Sequence, residues 1–426
     1  MAKNTGSPEA RLTRRNALKG LTIGGTSLLA FGGGAAGSPG KGNSRGQDPC
    51  DLVVPDDHVT IQDAVDAADA GDTICVKDGT YPEQIVINKS LTLRSAPGSS
   101  PTITPESSPG EFTIAESGPA WEPLVFAYGG SEQAGDVSGP GTIDVALSGF
   151  TLDGGGTQPS ARRKPGVLLR NASGTVSENT IENMGVGGKE TFGILAYGDS
   201  DVTIVANSIR EYERGGIGAN GDGGVHPSPT ARIRNNTVRG STGLGEAWGP
   251  NGIQIGFGAA GAVRNNEVID NRYSDESPVA SGILIFESDG VAVQGNRVEN
   301  ADVALSCGSW GWLRQSADGN MFLKNHVVDA EFGALIEAVA EPYGGVLTNR
   351  GPSTSNNKVV NNRIEDDEGT ADPDGNIGVG ILLEDNVDNE FVPVADNNKL
   401  IQNTITGFDT RIEDEGTATK VAPFDP

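Results

Sequence analysis

The side chains in this sequence that could do chemistry gather in segments between short apolar runs. Lys189, in Gly187-Gly188-Lys189-Glu190, is of the type that acts as a general base beside a uronate carboxylate, with Tyr212 or Tyr273 as the matching acid and Arg214 on the same rim. Glu190, Glu213, Trp248, Asn251 and Arg272 combine an aromatic face for a sugar ring with polar groups for its hydroxyls. Glu246, Asp275 and Glu276 offer the oxygen ligands that Ca2+ takes, and a cation there would bridge to an anionic sugar. The set describes a rim expected to bind a polysaccharide; if it is also catalytic, elimination or epimerisation is the chemistry these residue types suit. Each residue also has a plainer reading: Trp248 and Tyr273 as loop anchors, Lys189 as an exposed lysine, and the carboxylates as solvated surface. Arg162-Arg163-Lys164 is a lone basic cluster that attracts a polyanion or simply solvates a loop. His226 and His326 have no evident partner, and His58 precedes a capping segment.

A rim needs elements that bring its segments together, and a repeat supplies them. The pattern apolar-x-x-Asn-x-[Ile/Val] recurs with its asparagines at Asn179, Asn207, Asn236, Asn266, Asn296, Asn325, Asn362 and Asn403, spaced 28 to 41 residues apart. Between them lie Gly-led runs such as Gly193-Ile194-Leu195, Gly252-Ile253-Gln254-Ile255 and Gly282-Ile283-Leu284-Ile285. Short β-prone runs at such a period, set off by Gly and Asn turns, are the signature of a solenoid. The expected fold is all-β: a single right-handed parallel β-helix of roughly ten coils stacked about 4.8 Å apart. An Asn at the same place in each coil pairs with its own copies as an amide ladder, and glycine at the bends accounts for 62 glycines in 426 residues. The loops Glu182–Phe192, Arg210–Gly215, Arg239–Asn251, Ile269–Ser281 and Glu365–Val379 then all leave one edge of the solenoid.

Residues 58–72 place Ile61, Ala64, Val65 and Ala68 on one helical face, an amphipathic helix that would cover the open first coil. The run TIQDAVDAADAGDTICVKDGTYPEQIVINKSLTLRS resembles the opening of pectin-lyase-like β-helix proteins, and the later Asn-x-[Ile/Val] coils resemble NosD-type or carbohydrate-binding sugar-hydrolase repeats, over about residues 52–407. That superfamily includes lyases, hydrolases, esterases, epimerases and non-enzymes, so the resemblance implies the fold and leaves the activity open. Signatures of pectin methylesterase, polygalacturonase and pectate lyase are missing, and no Cys-x-x-Cys or clustered His suggests zinc. The alternative to a polysaccharide-active protein is therefore a non-catalytic surface or accessory β-helix, for protein interaction or metal handling.

Thr13-Arg14-Arg15-Asn16-Ala17-Leu18, a mildly apolar run and Ala35-Ala36-Gly37 resemble a twin-arginine export signal over residues 1–37, followed by a Gly/Ser/Pro-rich linker at 38–49. The solenoid is expected over 50–412, with a tail at 413–426, in a secreted monomer without a membrane span. Beyond residue 49 there are 24 basic residues, only eight of them Lys, against 55 acidic ones, a balance that argues against nucleic acid as a partner. With the signal, it points to a haloarchaeal protein working in brine, where salt screens self-repulsion. Cys50 and Cys75 either bridge two early strands or stay free, which leaves Cys307 as a lone, buried thiol.

Overall fold

The computed structural model describes residues 49–118, 120–156, 163–185, 191–240, 250–273, 280–310, 313, 316–339, 353–366, 379–386, 396–414 and 420–421. The expected signal and nearly all of the linker lie outside them.

Among the described residues, thirteen parallel strands stack into a first sheet, from Leu52–Val54 to Lys420–Val421. Twenty more form a second parallel sheet with two arms, one of short strands such as Ser208–Arg210 and one of Gly-led strands such as Gly215–Asn220. Arg297–Ser309 and His326–Val339 run through both arms. Each rung of this β-helix is a first-sheet strand, an Asn turn, a short strand and a Gly-led strand. The tail is not wholly separate, since Lys420 pairs with Lys399 in the first sheet.

Inward positions stack like on like, with Ile194, Ile217, Ile253 and Ile283 in direct register. They build one continuous apolar core running from Val54 to Phe408. At each turn the ladder asparagine satisfies its amide completely. Asn236 donates its backbone N–H and its Nδ2 to Asn266 Oδ1, both at 3.0 Å, and Nδ2 also reaches Ile204 O at 3.0 Å. The pattern repeats up to Asn403, which accepts from Asn362. Below the first rung, Phe150 N donates to Asn179 Oδ1, so the ladder ends on a backbone donor. A second, shorter ladder joins Asn320, Asn357 and Asn398 and was not foreseen.

The residue before each ladder asparagine has a positive φ, including Glu178, Ala206, Lys324 and Gln402, which lack glycine's freedom there. The Gly-led positions have a different reason. A Cβ on Gly252 would sit 2.4 Å from Val268 Cγ1 and 2.6 Å from Gly282 O, and the same corner recurs at Gly193, Gly216, Gly282, Gly333 and Gly380. The tight corner excludes any side chain.

The capping helix α1 spans Ile61–Ala67, within the longer segment read from the sequence. Thr60 Oγ1 accepts from Asp63 N, and the Glu83 carboxylate takes the N–H groups of Ile61 and Gln62. Ile61, Ala64 and Val65 enter the core over the first coil. Cys50 and Cys75 form a disulfide, and Cys307 is a buried free thiol whose pKa burial raises to about 12. No helix among the described residues is long and apolar enough to cross a membrane.

Candidate functional site

The Gly-led arm has an inward face fixed by the core and an outward face free to vary. Two outward columns run along it: Phe126, Leu168, Leu195, Gly218, Gln254 and Leu284, and Tyr128, Arg170, Tyr197, Asn220, Gly256 and Phe286. The early rungs are apolar and covered. A small four-stranded sheet, built from Phe112–Ile114, Ala120–Trp121, Ser131–Gln133 and Asp136–Ser138, packs Trp121, Ile114 and Val137 on Phe126, Tyr128, Leu168 and Leu195. Arg170 ties that cover down. Its guanidinium meets Glu116 at 2.9 Å, with both side chains 2% exposed, and donates to the carbonyls of Gly129 and Gly139.

From Tyr197 onward the same face turns polar. Gln254 Nε2 donates to Asn220 Oδ1 at 2.9 Å, Asn251 Nδ2 donates to Gln254 Oε1 at 3.0 Å, and the Tyr197 hydroxyl is hydrogen-bonded with Asn220. Asn251 opposes Gly215 at the start of the strand, and Asn220 ends it, so the strip crosses the sheet from one edge to the other. Asn251 Oδ1 is buried with no donor among the described residues. Small residues at Gly218 and Gly256 leave these amides as the relief of the floor. Farther along, Phe257, Phe286 and Trp310 form a second apolar cluster with Leu284 and Leu313.

Two guanidiniums border the strip. Arg163 lies 5.1 Å over the Trp121 ring. Burial lowers its pKa, Tyr197 opposes that, and Arg214 lowers it further, so the two cations act on each other. Burial brings Arg214 down to about 10, again against the pull of Tyr197. Burial raises the Tyr197 phenol, while Arg163, Asn220 and Arg214 counter it. Cations that lie near each other and are largely withdrawn from water favour an anionic neighbour.

At the far end of the same strand, two residues beyond Asn220, the chain forms a tight loop. Asp222 Oδ1 accepts the backbone N–H groups of Gly224, Val225 and His226, and its Oδ2 meets His226 Nδ1 at 2.5 Å. The carboxylate is 8% exposed and the imidazole 39% exposed. One ring nitrogen is therefore held and the ring remains accessible, the arrangement of an oriented proton-transfer group.

Of the residues singled out from the sequence, the structure brings Glu213, Arg214 and Asn251 together on adjacent rungs, with Asn251 N donating to Arg214 O at 3.0 Å. All three are buried, which sets them into the floor instead of on a rim. Tyr212 is a correction. It is 0% exposed, belongs to the core and donates its hydroxyl to Asn271 Oδ1 at 2.6 Å, so it cannot serve as a substrate acid. Burial, its largest cause, drives its pKa far up. Arg272 and Tyr273 leave the next rung, where Tyr273 N donates to Asp302 Oδ2 and Arg272 reaches toward Asp329 O at 3.5 Å. Lys189, Glu190, Glu246, Trp248, Asp275 and Glu276 lie outside the described residues. Among the described residues no group of three His, Cys, Asp or Glu could hold a metal ion.

The sequence reading missed Tyr197, Asn220, Gln254 and the Asp222–His226 pair. Alternation within the Gly-led runs could have marked the first three as outward, and the four-residue Asp-to-His spacing in a Gly-rich loop could have marked the pair. His326 also has partners, Glu365 at 3.2 Å and Arg297 at 3.3 Å, on the outward side of the short strands.

Residues 165–415 match the family described as right handed beta helix region, and residues 45–281 match a family described as protein of unknown function (DUF1565). No curated protein matches the chain. Among solved structures the chain is similar to the A-module of a mannuronan C-5 epimerase of Azotobacter vinelandii, at 16% identity and a TM-score of 0.47, covering 85% of this chain and 95% of that one. A surface protein and adhesin of Streptococcus pneumoniae matches at 13% identity and a TM-score of 0.46, covering 85% and 94%. A polygalacturonase of Erwinia carotovora matches at 12% identity and a TM-score of 0.44, covering 89% and 99%.

Proposed function

We propose a function for this chain from one premise: it belongs to the right-handed β-helix family, and to the DUF1565 family over its N-terminal part. Its role is to bind an acidic polysaccharide across the outer face of the Gly-led arm. The observation that carries this reading is the placing of Arg163, held over the buried Trp121 ring, and Arg214 beside Tyr197, at the head of an amide strip of Asn251, Gln254 and Asn220. Two cations suit the carboxylates of a polyuronate, and amides suit hydroxyls. At the opposite end of the strip, the Asp222–His226 pair supplies a base for the proton beside the carboxylate of a sugar farther along the polymer, the first step shared by elimination and epimerisation. Export by the twin-arginine route and activity in brine complete the proposal, resting on the N-terminal motif and the acidic, lysine-poor composition.

The test is calorimetric binding in molar salt to pectate, alginate, glycosaminoglycans and a neutral glucan, with product analysis by unsaturated-uronate absorbance and by exchange of solvent deuterium into the sugar. The acidic polymers are expected to bind, and Arg214→Ala to weaken them at least tenfold. His226→Ala should abolish turnover and leave binding intact. Failure of every acidic polymer would sink the reading. Binding without turnover, unaffected by His226→Ala, would favour the non-catalytic alternative.

A further inference from the structure

Over its last seven strands, the outer face of the first sheet carries a charge pattern opposite to that of the whole chain. Its seven last strands read Thr230–Arg234, Ala260–Arg264, Ala292–Gln294, Met321–Leu323, Lys358–Val360, Lys399–Ile401 and Lys420–Val421. They contain the cations Arg232, Arg234, Arg264, Lys358, Lys399 and Lys420 and no carboxylate, in a chain with 57 acidic and 31 basic residues. Lys324 adds a seventh cation at the turn after Met321–Leu323. Register puts Lys358, Lys399 and Lys420 directly above one another, and Arg234 directly below Arg264. Like charges stacked at strand spacing, about 4.8 Å apart, repel, so the column costs stability. Only Arg232 has a carboxylate partner among the described residues, Asp201.

We infer that this face is a docking track for a linear acidic polysaccharide lying along the solenoid axis. The fit is one of charge and period: a polymer with one anionic group on each sugar meets cations on five of the seven rungs, with Lys324 at the turn of a sixth, over about 30 Å of axis. Between the cations the outward groups are Ala262, Ala292, Gln294 and half-buried Met321, Leu323, Val360 and Ile401, which leave the track smooth. No aromatic side chain points outward along these strands to stack a base, so the pattern favours a polysaccharide over single-stranded nucleic acid. The track is on a different sheet from the Arg163–Arg214 strip and does not depend on it.

The experiment compares the full chain with K358E/K399E/K420E and with K358Q/K399Q/K420Q. Affinity is measured for polyuronates of increasing length, a neutral glucan and single-stranded DNA over a salt series, with circular dichroism confirming the fold. Long polyuronates are expected to lose at least tenfold in affinity with the Glu triple and less with the Gln triple. Trisaccharides, too short to follow the track, should be unaffected. Repeating the measurement in an Arg214→Ala background separates the two sites, because each set of changes removes only its own share of binding. Unchanged affinity of long polyuronates for the folded Glu triple, or tighter binding of DNA than of polyuronate, overturns the track.

Discussion

Along one face of the second sheet, the rungs through Phe126, Leu168 and Leu195 are apolar and covered, whereas the next rungs, through Gly218 and Gln254, carry amides and small groups. The backbone, the register and the β-branched character of the inward column, from Val125 and Val167 to Ile194, Ile217 and Ile253, hardly change between them. Each stretch also holds arginine, yet in different company. In the covered stretch Arg170 is closed off by Glu116 and two carbonyls and acts as a fastener. At the border with the polar stretch, Arg163 leaves the covered rung over the Trp121 ring and comes near Arg214 and the Tyr197 phenol. Inward positions thus specify the solenoid, and outward positions specify what each part of it does.

The largest effect that would break this comparison is expected from Glu116→Ala. It leaves Arg170 buried without its carboxylate and should cost about 3–5 kcal/mol, read as a lower denaturation midpoint, with the cover sheet loosened. If stability were unchanged, the covered stretch would not be held by that pair. Asn266→Ala comes next. It takes the acceptor from Asn236 and the donor from Ile233 O, for an expected loss of about 2–3 kcal/mol by chemical denaturation.

A pH effect should follow on the short-strand arm. Burial alone would raise the Glu365 carboxyl, but hydrogen bonds from Arg363 and His326 outweigh it and hold the group below its ordinary range. Because the folded pKa lies below the unfolded value of about 4.3, the stabilisation is present above that pH and disappears as pH falls through the folded pKa. Glu365→Gln should flatten that acid limb of the stability profile, and an unchanged limb would refute the assignment. The smallest effect concerns the turns themselves. Ala206 has a φ of 57°, and Ala206→Gly should relieve strain and change stability by at most about 1 kcal/mol in the favourable direction, seen as a small rise in Tm.

Much of the fold could be read directly. The asparagines at Asn179 through Asn403 marked the turns, the Gly-led runs marked the tight corners, and the capping face of Ile61, Ala64 and Val65 was visible in its helical spacing. The site was legible only in part. Arg214 and Asn251 are found through their membership of the loops that lead into Gly-led strands. Tyr212 was placed wrongly, because loop membership does not reveal whether a ring turns into the core or away from it.

The sequence alone determined the repeating inward pattern, since every rung must bury similar side chains and satisfy its own amide, and such a constraint is local and periodic. Which outward residues meet was decided only by the tertiary structure. Tyr197 reaches Asn220 and Asn220 reaches Gln254 through register between rungs, and Glu116 finds Arg170 across 54 residues of chain through a sheet folded back on the solenoid. Stacking turns distant positions into neighbours, and no periodicity along the chain records which of them will touch.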